Sequence, residues 1–455
     1  MPVKPLSAAE AHDVSFVEVQ YVDLAGFLRS VIIPFETYKS MSPGIVAAFD
    51  GSSVEGFEPI NRSDLLLAPD VQTFARLPWR PERARVLSRI YWPDGRRYEK
   101  DPRFIAEEVS KFLLDKGYRP LVGAEVEFFL FRSVKVDVDN PLRGLGYYVK
   151  SPEQPWDSEL VSLRTKKAYH LAEPSDTLEV VREKILSYFS QVGYGFNATH
   201  HEVAVGQSEV SVRAGDPLFV SDEIITFKQV ARKAALEHGL VAVFMPKPIY
   251  GDNGSGLHFH LSLWDPKANL NLFVDEEGRP TQLARYFIGG ILEHGRSLAA
   301  LVAPTVNSYR RLVPGYEAPV YLVWGHSNRS AAIRIPATGG DRGLARVEFR
   351  SPDPLCNPYL AISATLLAGY DGIVRKIDPG DPFEGNVYEL KDEEKLPTLP
   401  KSLDEALEEL ESDNEYLRPV FSKELLHSYL EVKRAEADTA RMYPSPIEFY
   451  MYMNL

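Results

Sequence analysis

The sequence predicts an α+β fold in two unequal domains, and three observations carry that reading. The chain has 455 residues, more than one small core organises. Its strand-like segments come in groups, without the strict strand–helix alternation of a doubly wound sheet. Four short polar-rich stretches also carry acids, histidines and arginines at strand spacing: Gly123-Ala124-Glu125-Val126-Glu127-Phe128, His201-Glu202-Val203-Ala204-Val205-Gly206-Gln207-Ser208-Glu209, Gly254-Ser255-Gly256-Leu257-His258-Phe259-His260-Leu261-Ser262 and Arg346-Val347-Glu348-Phe349-Arg350. Residues i, i+2 and i+4 of a strand share a face, so each stretch presents a polar face backed by Val, Phe or Leu.

The elements follow in order. Alternation predicts strands over 16–23 and 28–33, with a turn at Ala25-Gly26, then a loop over 49–57. Arg85-Val86-Leu87 and Ile90-Tyr91-Trp92 continue the strands to about residue 97. Asp101 and Pro102 have the chemistry of a helix cap and first position for a helix over 104–116, which places a domain boundary near residue 100. Amphipathic spacing predicts helices over 177–192, 221–239 and 280–300, the last with Pro280 in its first turn. A long apolar helix follows over 357–376, and acidic-faced helices over 403–410 and 423–441. No internal repeat or low-complexity segment interrupts the chain.

Composition excludes several classes. A net charge of −13 argues against nucleic-acid or anionic-membrane partners. Cys356 is the one cysteine, so no intrachain disulfide forms and a reducing, cytoplasmic setting is expected. The N-terminal residues lack the apolar core of a secretion signal, and no apolar run reaches membrane-span length.

Glu125, Glu127, Glu202, Glu209 and Glu348 are acids in apolar strand contexts, and unpaired carboxylates are almost never buried. Either arginines balance them, with Arg311, Arg329, Arg334, Arg346 and Arg350 available, or metal does. His258 among the acids points to metal, and an oxygen-dominated donor set favours Mg²⁺ or Mn²⁺ over zinc. No P-loop and no dinucleotide-binding glycine turn is present, so a nucleotide's phosphates would be held by cations and arginine forks, as phosphoryl transfer requires. Asn307 to Pro319 reads as a loop with Glu317 at its tip, either a lid or a solvated charge.

The string Phe49-Asp50-Gly51-Ser52-Ser53, the paired-glutamate strand, the HHEVA–GQ–E segment, Lys247-Pro248 through His258, RLVPGYEAP, the Asn328-Arg329-Ser330 segment and RVEFRSPDP together resemble glutamine synthetase of the bacterial and archaeal type I, in order from about residue 15 to the C-terminus. That resemblance implies a small N-terminal β-grasp domain (1–100) supplying the Asp50 loop, and a larger catalytic domain (101–455) with a mainly antiparallel sheet and flanking helices. It implies ATP-dependent ligation of ammonia to L-glutamate through a γ-glutamyl phosphate, in a dodecamer of two stacked hexameric rings with each site between subunits. It further implies that Glu127, Glu202 and Glu209 hold one Mg²⁺ (or Mn²⁺), and Glu125, His258 and Glu348 a second. Asn253, Gly254, Arg311 and Arg350 would hold glutamate. His260, Ser262, Arg329, Arg334 and Arg346 would face ATP. Asp50 and Ser53 would bind ammonium, Asp50 taking its proton, and Glu317 would close over the intermediate and assist.

Two other readings have distinguishing marks. A glutamate–amine ligase of the family tends to lack the acid that stands here at Asp50. A catalytically inactive regulatory relative would have lost metal ligands, and none is lost. The chain departs from the commonest family pattern at Ala124, Asn197 and Gly325-His326-Ser327, and at Pro59, where one subgroup has a feedback-sensing arginine. Asn386-Val387-Tyr388 resembles a loop that some relatives adenylylate, but residues 389–392 differ, so no modification is expected.

Overall fold

The computed structural model describes residues 13–140, 142–155, 157–158, 162–389 and 396–455. Residues 1–12, read above for a secretion signal, and 390–392 of the tyrosine loop lie outside the described residues.

The N-terminal strands form one sheet centred on the long strand Arg80–Tyr91. Strand Phe16–Val22 runs parallel to it and antiparallel to Leu28–Pro34, while Asp64–Pro69 and Ala75–Leu77 pair with it antiparallel. Val17, Val19, Ala84 and Val86 are fully buried by the alternation that predicts the strands. Helix Phe35–Met41 closes one face with Phe35 and Tyr38. Arg85-Val86-Leu87 and Ile90-Tyr91 lie in one continuous strand that ends before Trp92, and Tyr91 bridges back to Arg97 across the turn that follows.

Ala47–Asp50 forms a strand at the edge of this sheet, paired with Asp64–Pro69. Asp50 ends it and caps the short helical turn Gly51–Ser53.

The second sheet is centred on strand Arg119–Phe131, flanked by Leu257–Asp265 and Gln207–Val212, both antiparallel to it. Phe196–His201 lies outside Gln207–Val212, and Val347–Phe349 outside Leu257–Asp265. Among the described residues of this sheet, Trp324–His326 and Ile333–Ile335 are the strands that pair in parallel. Ala124, Val126 and Phe128 point to the helical side, where Phe128 meets Phe227 edge-on at 5.6 Å between ring centroids. Glu125 and Glu127 are thereby turned to the opposite face.

Helix Pro102–Asp115 begins as expected, with the Asp101 carboxylate accepting from the Arg103 amide. Asp216 and Pro217 use the same chemistry, so the helix expected at 221 starts four residues earlier, at Pro217. The helix expected over 280–300 is two helices, Gln282–Glu293 and Gly295–Val302. Thr281 caps the first, which leaves Pro280 outside. The break falls at His294, whose ring bridges Asp413 at 2.8 Å and Asp371 at 2.9 Å. A Cβ on Gly295 would meet Leu322 at 2.4 Å, so a side chain there would have to displace its neighbour.

Arg103 bolts the two sheets together. Its guanidinium reaches Asp70 of the N-terminal region at 2.8 Å and both oxygens of Asp222 on helix Pro217–Glu237, at 2.9 and 2.7 Å. The Tyr359 hydroxyl donates to the same Asp222 at 2.7 Å. Removing one member of a buried pair strands its partner's charge, at about 3–5 kcal/mol. Arg103→Ala should therefore lower the thermal midpoint sharply. Arg96→Ala, which loses only the solvent-exposed contact with Asp94, should leave it in place.

Candidate active site

Strand register assembles the acids. Glu209 lies opposite Glu127, His258 opposite Glu125, and His260 opposite Glu348. Glu202 enters from the turn between Phe196–His201 and Gln207–Val212, where Gly206 takes a φ of +80°. A Cβ at Gly206 would meet Ser151 Oγ at 2.9 Å. Glu153, fully buried, braces this turn by accepting from the Gly206 amide at 3.0 Å and meeting His201 Nε2 at 2.9 Å.

The acids differ in how their charge is met. Glu348 is fully buried between Arg350, at 2.7 Å, and Arg334. Burial works to raise its carboxyl, but the two arginines and the histidines outweigh it. Burial likewise opposes ionisation of Glu125, but hydrogen bonds with His258 (3.2 Å) and His260 (3.0 Å) bring it below the usual range. Arg346 donates to His260 Nδ1 at 3.1 Å, which leaves Nε2 as the protonated nitrogen facing Glu125.

Glu127, Glu202 and Glu209 are the opposite case. Burial, then repulsion from Glu209, pushes Glu202 up to about 7. Burial, then Glu125, Glu127 and Glu348, pushes Glu209 well above the usual range. Glu127 is raised by burial and by Glu202, although Gln207 and the Gly256 amide donate to it at 3.0 and 2.9 Å. His200 and His258 come within ion-pair distance of these three acids, and the charges of Arg311 and Arg350 act on Glu127 and Glu209 without cancelling the rise. Direct pairing with arginine, one of the two expected alternatives, is seen at Glu348, which sits between Arg334 and Arg350. Ligand atoms of Glu125, Glu209 and His258 lie within 4.8 Å of one another, as do those of His200, Glu202 and Glu209. Crowded, mutually repelling oxygen donors with few nitrogens fit a hard divalent cation.

Around this centre, Asn253 is buried with its Oδ1 unpaired. A Cβ on Gly254 would strike the Pro246 carbonyl at 2.3 Å. Arg311 is buried and donates to the Ser351 and Arg350 carbonyls at 2.9 and 3.0 Å. Arg350 keeps a buried, unpaired Nε. Ser262 accepts from Trp264 at 3.0 Å. Arg329 is exposed, and its charge acts on Tyr169, His170 and Arg334. Glu317 is exposed, and its charge adds to the upward pressure on Glu202.

Asp50 stands apart. Its carboxylate accepts from the Ser52 amide (2.9 Å), the Ser52 hydroxyl (2.7 Å) and the Ser53 hydroxyl (2.9 Å). The Ser52 and Ser63 hydroxyls lead the interactions that hold it down at about 2. Its hydrogen-bond partners are therefore the serines of its own loop, and none is a residue of the acid cluster.

A family model described as the glutamine synthetase catalytic domain matches residues 99–452, and one described as the glutamine synthetase beta-grasp domain matches 13–93. The chain belongs to the glutamine synthetase family. It is 47% identical over 465 residues to the glutamine synthetase of Sulfolobus acidocaldarius, covering 99% of this chain and 98% of that protein. To the glutamine synthetase of Methanosarcina mazei it is 39% identical over 462 residues, covering 99% and 97%. Among solved structures it resembles a Plasmodium falciparum glutamine synthetase (TM-score 0.87, 26% identity, 97% and 96% covered) and a GmaS/ADP complex (TM-score 0.85, 30% identity, both chains covered completely). The N-terminal sheet is accordingly the β-grasp domain of a glutamine synthetase fold.

Sequence reasoning missed His200, Glu153 and Gln207, which contact the acid cluster or the turn that carries Glu202. The doubled histidine before Glu202 was the available signal. His200 faces Glu209 across the sheet at 3.1 Å, while His201 turns inward to Glu153.

The raised acids generate a titration test. A carboxyl raised by burial and repulsion carries its proton below its folded pKa, and a cation can bind only after that proton leaves. Adding Mn²⁺ to the metal-free protein at pH 7 should release protons, and affinity should fall as pH drops below about 7, the region where Glu202 titrates. Calorimetry in two buffers of different ionisation enthalpy measures the release, and Glu202→Gln should reduce it.

Proposed function

We propose that this chain is a glutamate–ammonia ligase, which uses ATP to convert L-glutamate and ammonia to L-glutamine, ADP and phosphate through a γ-glutamyl phosphate. The observation that carries the reading is the cluster of Glu127, Glu202 and Glu209, three buried acids raised by burial and by one another. Glu127, Glu202 and Glu209 would hold one Mg²⁺ or Mn²⁺, and Glu125, His258 and Glu348 a second. Bound there, such cations neutralise charge on a transferring phosphoryl group.

The chain's own groups divide the remaining work. Asn253, Gly254, Arg311 and Arg350 bind glutamate, the unpaired Asn253 Oδ1 suiting its ammonium group. His260, Ser262, Arg329, Arg334 and Arg346 face ATP and orient its phosphates, with Arg329 placed to meet charge developing on the phosphoryl oxygens. Asp50 and Ser53 bind ammonium. The serine hydrogen bonds favour the charged carboxylate, so attraction of a small cation is Asp50's first contribution, and removal of the proton is shared with Glu317.

In this reading residues 1–100 supply the Asp50 loop and residues 101–455 supply the sites for ATP, glutamate and metals. The loop completes the site of a neighbouring copy in a homo-oligomer, a dodecamer of two stacked rings, and the enzyme works in the cytoplasm. The exposure of Asp50 and its separate set of partners support the between-subunit arrangement. Among the described residues no helix is long and apolar enough to cross a membrane.

Three experiments test the reading. Glu127→Ala or Glu209→Ala should lower turnover by ~100-fold or more, the scale of losing one preorganised electrostatic contact, while assembly persists. Mixing Asp50→Ala with Glu127→Ala subunits should restore part of the activity at shared interfaces. No recovery among subunits that demonstrably exchange would refute the between-subunit site. Comparing ammonia with methylamine, ethanolamine and putrescine at saturating ATP and glutamate should show ammonia strongly preferred; a preferred amine would move the enzyme to the amine ligases.

A further inference from the structure

Tyr316 immediately precedes Glu317 and lies between two residues of left-handed backbone, Gly315 at φ +91° and Glu317 at φ +60°. A non-glycine residue with positive φ is strained and persists only where its surroundings hold it. The Tyr316 ring beside it is itself anchored by two cations. The Lys247 ammonium lies 3.8 Å from the ring centroid and the Lys166 ammonium 4.3 Å. Among the described residues neither lysine forms an ion pair with a carboxylate, and the ring face helps to accommodate two like charges side by side. Burial, and Lys166 beside it, bring Lys247 down to about 8 against the pull of Asp252.

Lys247 is itself fastened on two sides. Its amide donates to Asn307 Oδ1 at 2.8 Å, and Asn307 Nδ2 donates to its carbonyl at 3.0 Å, at the start of the segment that carries Glu317. Its ammonium also donates to the Asp252 carbonyl. The Asp252 carboxylate accepts from the Val205 amide at 3.1 Å, inside the turn between Glu202 and Glu209, and from the Asn253 amide at 3.0 Å. One lysine therefore touches the lid segment at both ends and the strand entry that carries Asn253 and Gly254.

We propose that Tyr316, gripped by Lys247 and Lys166, is the positioning residue that holds Glu317 over the acid cluster, and that Lys247 couples this hold to the segment Asp252 to Gly254. The proposal rests on reading Glu317 as the lid over the acyl phosphate. If the grip is lost, water reaches the intermediate. Its oxygen adds to the acyl carbon, the carbon–oxygen bond to phosphate breaks, and glutamate, phosphate and a proton are released. ATP is then consumed without glutamine.

The readout is the ratio of phosphate released to glutamine formed at saturating substrates, measured on assembled protein whose thermal midpoint is recorded alongside. Tyr316→Leu and Lys166→Met should raise the ratio from one to roughly two or more, as expected of a lid that no longer excludes water, with the KM for ATP little changed. Tyr316→Phe keeps the ring and should hold the ratio at one; a merely structural role would not separate leucine from phenylalanine in this ratio. Lys247→Met should raise both the ratio and the KM for glutamate. Glu317→Ala serves as the control. If it leaks while Tyr316→Leu and Lys166→Met stay at one, the grip is refuted and the lid stands. If none of the variants leaks, the lid and the grip fall together. A Tyr316→Phe variant that leaks as much as Tyr316→Leu also overturns the proposal.

Discussion

Everything at this site depends on one electrostatic conflict imposed by strand register. Antiparallel pairing puts Glu209 against Glu127 and His258 against Glu125 on the open face of a sheet whose other face is sealed by Phe128 and its aromatic neighbours. Desolvated carboxylates facing one another raise each other's proton affinity, and a cation relieves that cost. The surrounding structure keeps the conflict in place. Glu153 braces the turn bearing Glu202, and the lack of room for a Cβ at Gly254 keeps the Asn253 segment close to the Pro246 carbonyl.

The two halves of the acid cluster are held differently, and the difference has chemical content. Glu125 and Glu348 are already satisfied by histidine and arginine, so that side is organised before any ligand arrives. Glu127, Glu202 and Glu209 carry the unrelieved repulsion. A site of this kind is preorganised on one side and cation-dependent on the other, which suits a reaction whose charge appears as a phosphoryl group moves.

Much of this was legible in the sequence because strand periodicity is simple. Once Glu125 and Glu127 are placed at i and i+2, their shared face follows, and so does the need for a counter-charge. Helix starts were legible where a cap and a proline coincide, as at Asp101-Pro102. The same pair at Asp216-Pro217 also starts a helix, but there the amphipathic pattern is clearer a turn later. The break at His294 was not legible, since it depends on Asp371 and Asp413, far away in the chain. His200 and Glu153 were missed for a related reason: their roles come from cross-strand and cross-loop contacts that no local spacing reports. Arginine pairing and cation binding look like alternatives in the sequence, but the fold pairs arginines directly with Glu348, while Glu127, Glu202 and Glu209 stay raised despite the charges of Arg311 and Arg350 nearby.

The most direct test of the central claim is anomalous scattering from crystals of the assembled protein grown with Mn²⁺ and a non-hydrolysable ATP analogue. The account predicts two peaks per subunit, one within coordination distance of Glu127, Glu202 and Glu209 and one near Glu125, His258 and Glu348. Crystals that bind the nucleotide yet show no peak beside Glu202 and Glu209 would contradict it, because the repulsion among these buried acids would then need another explanation.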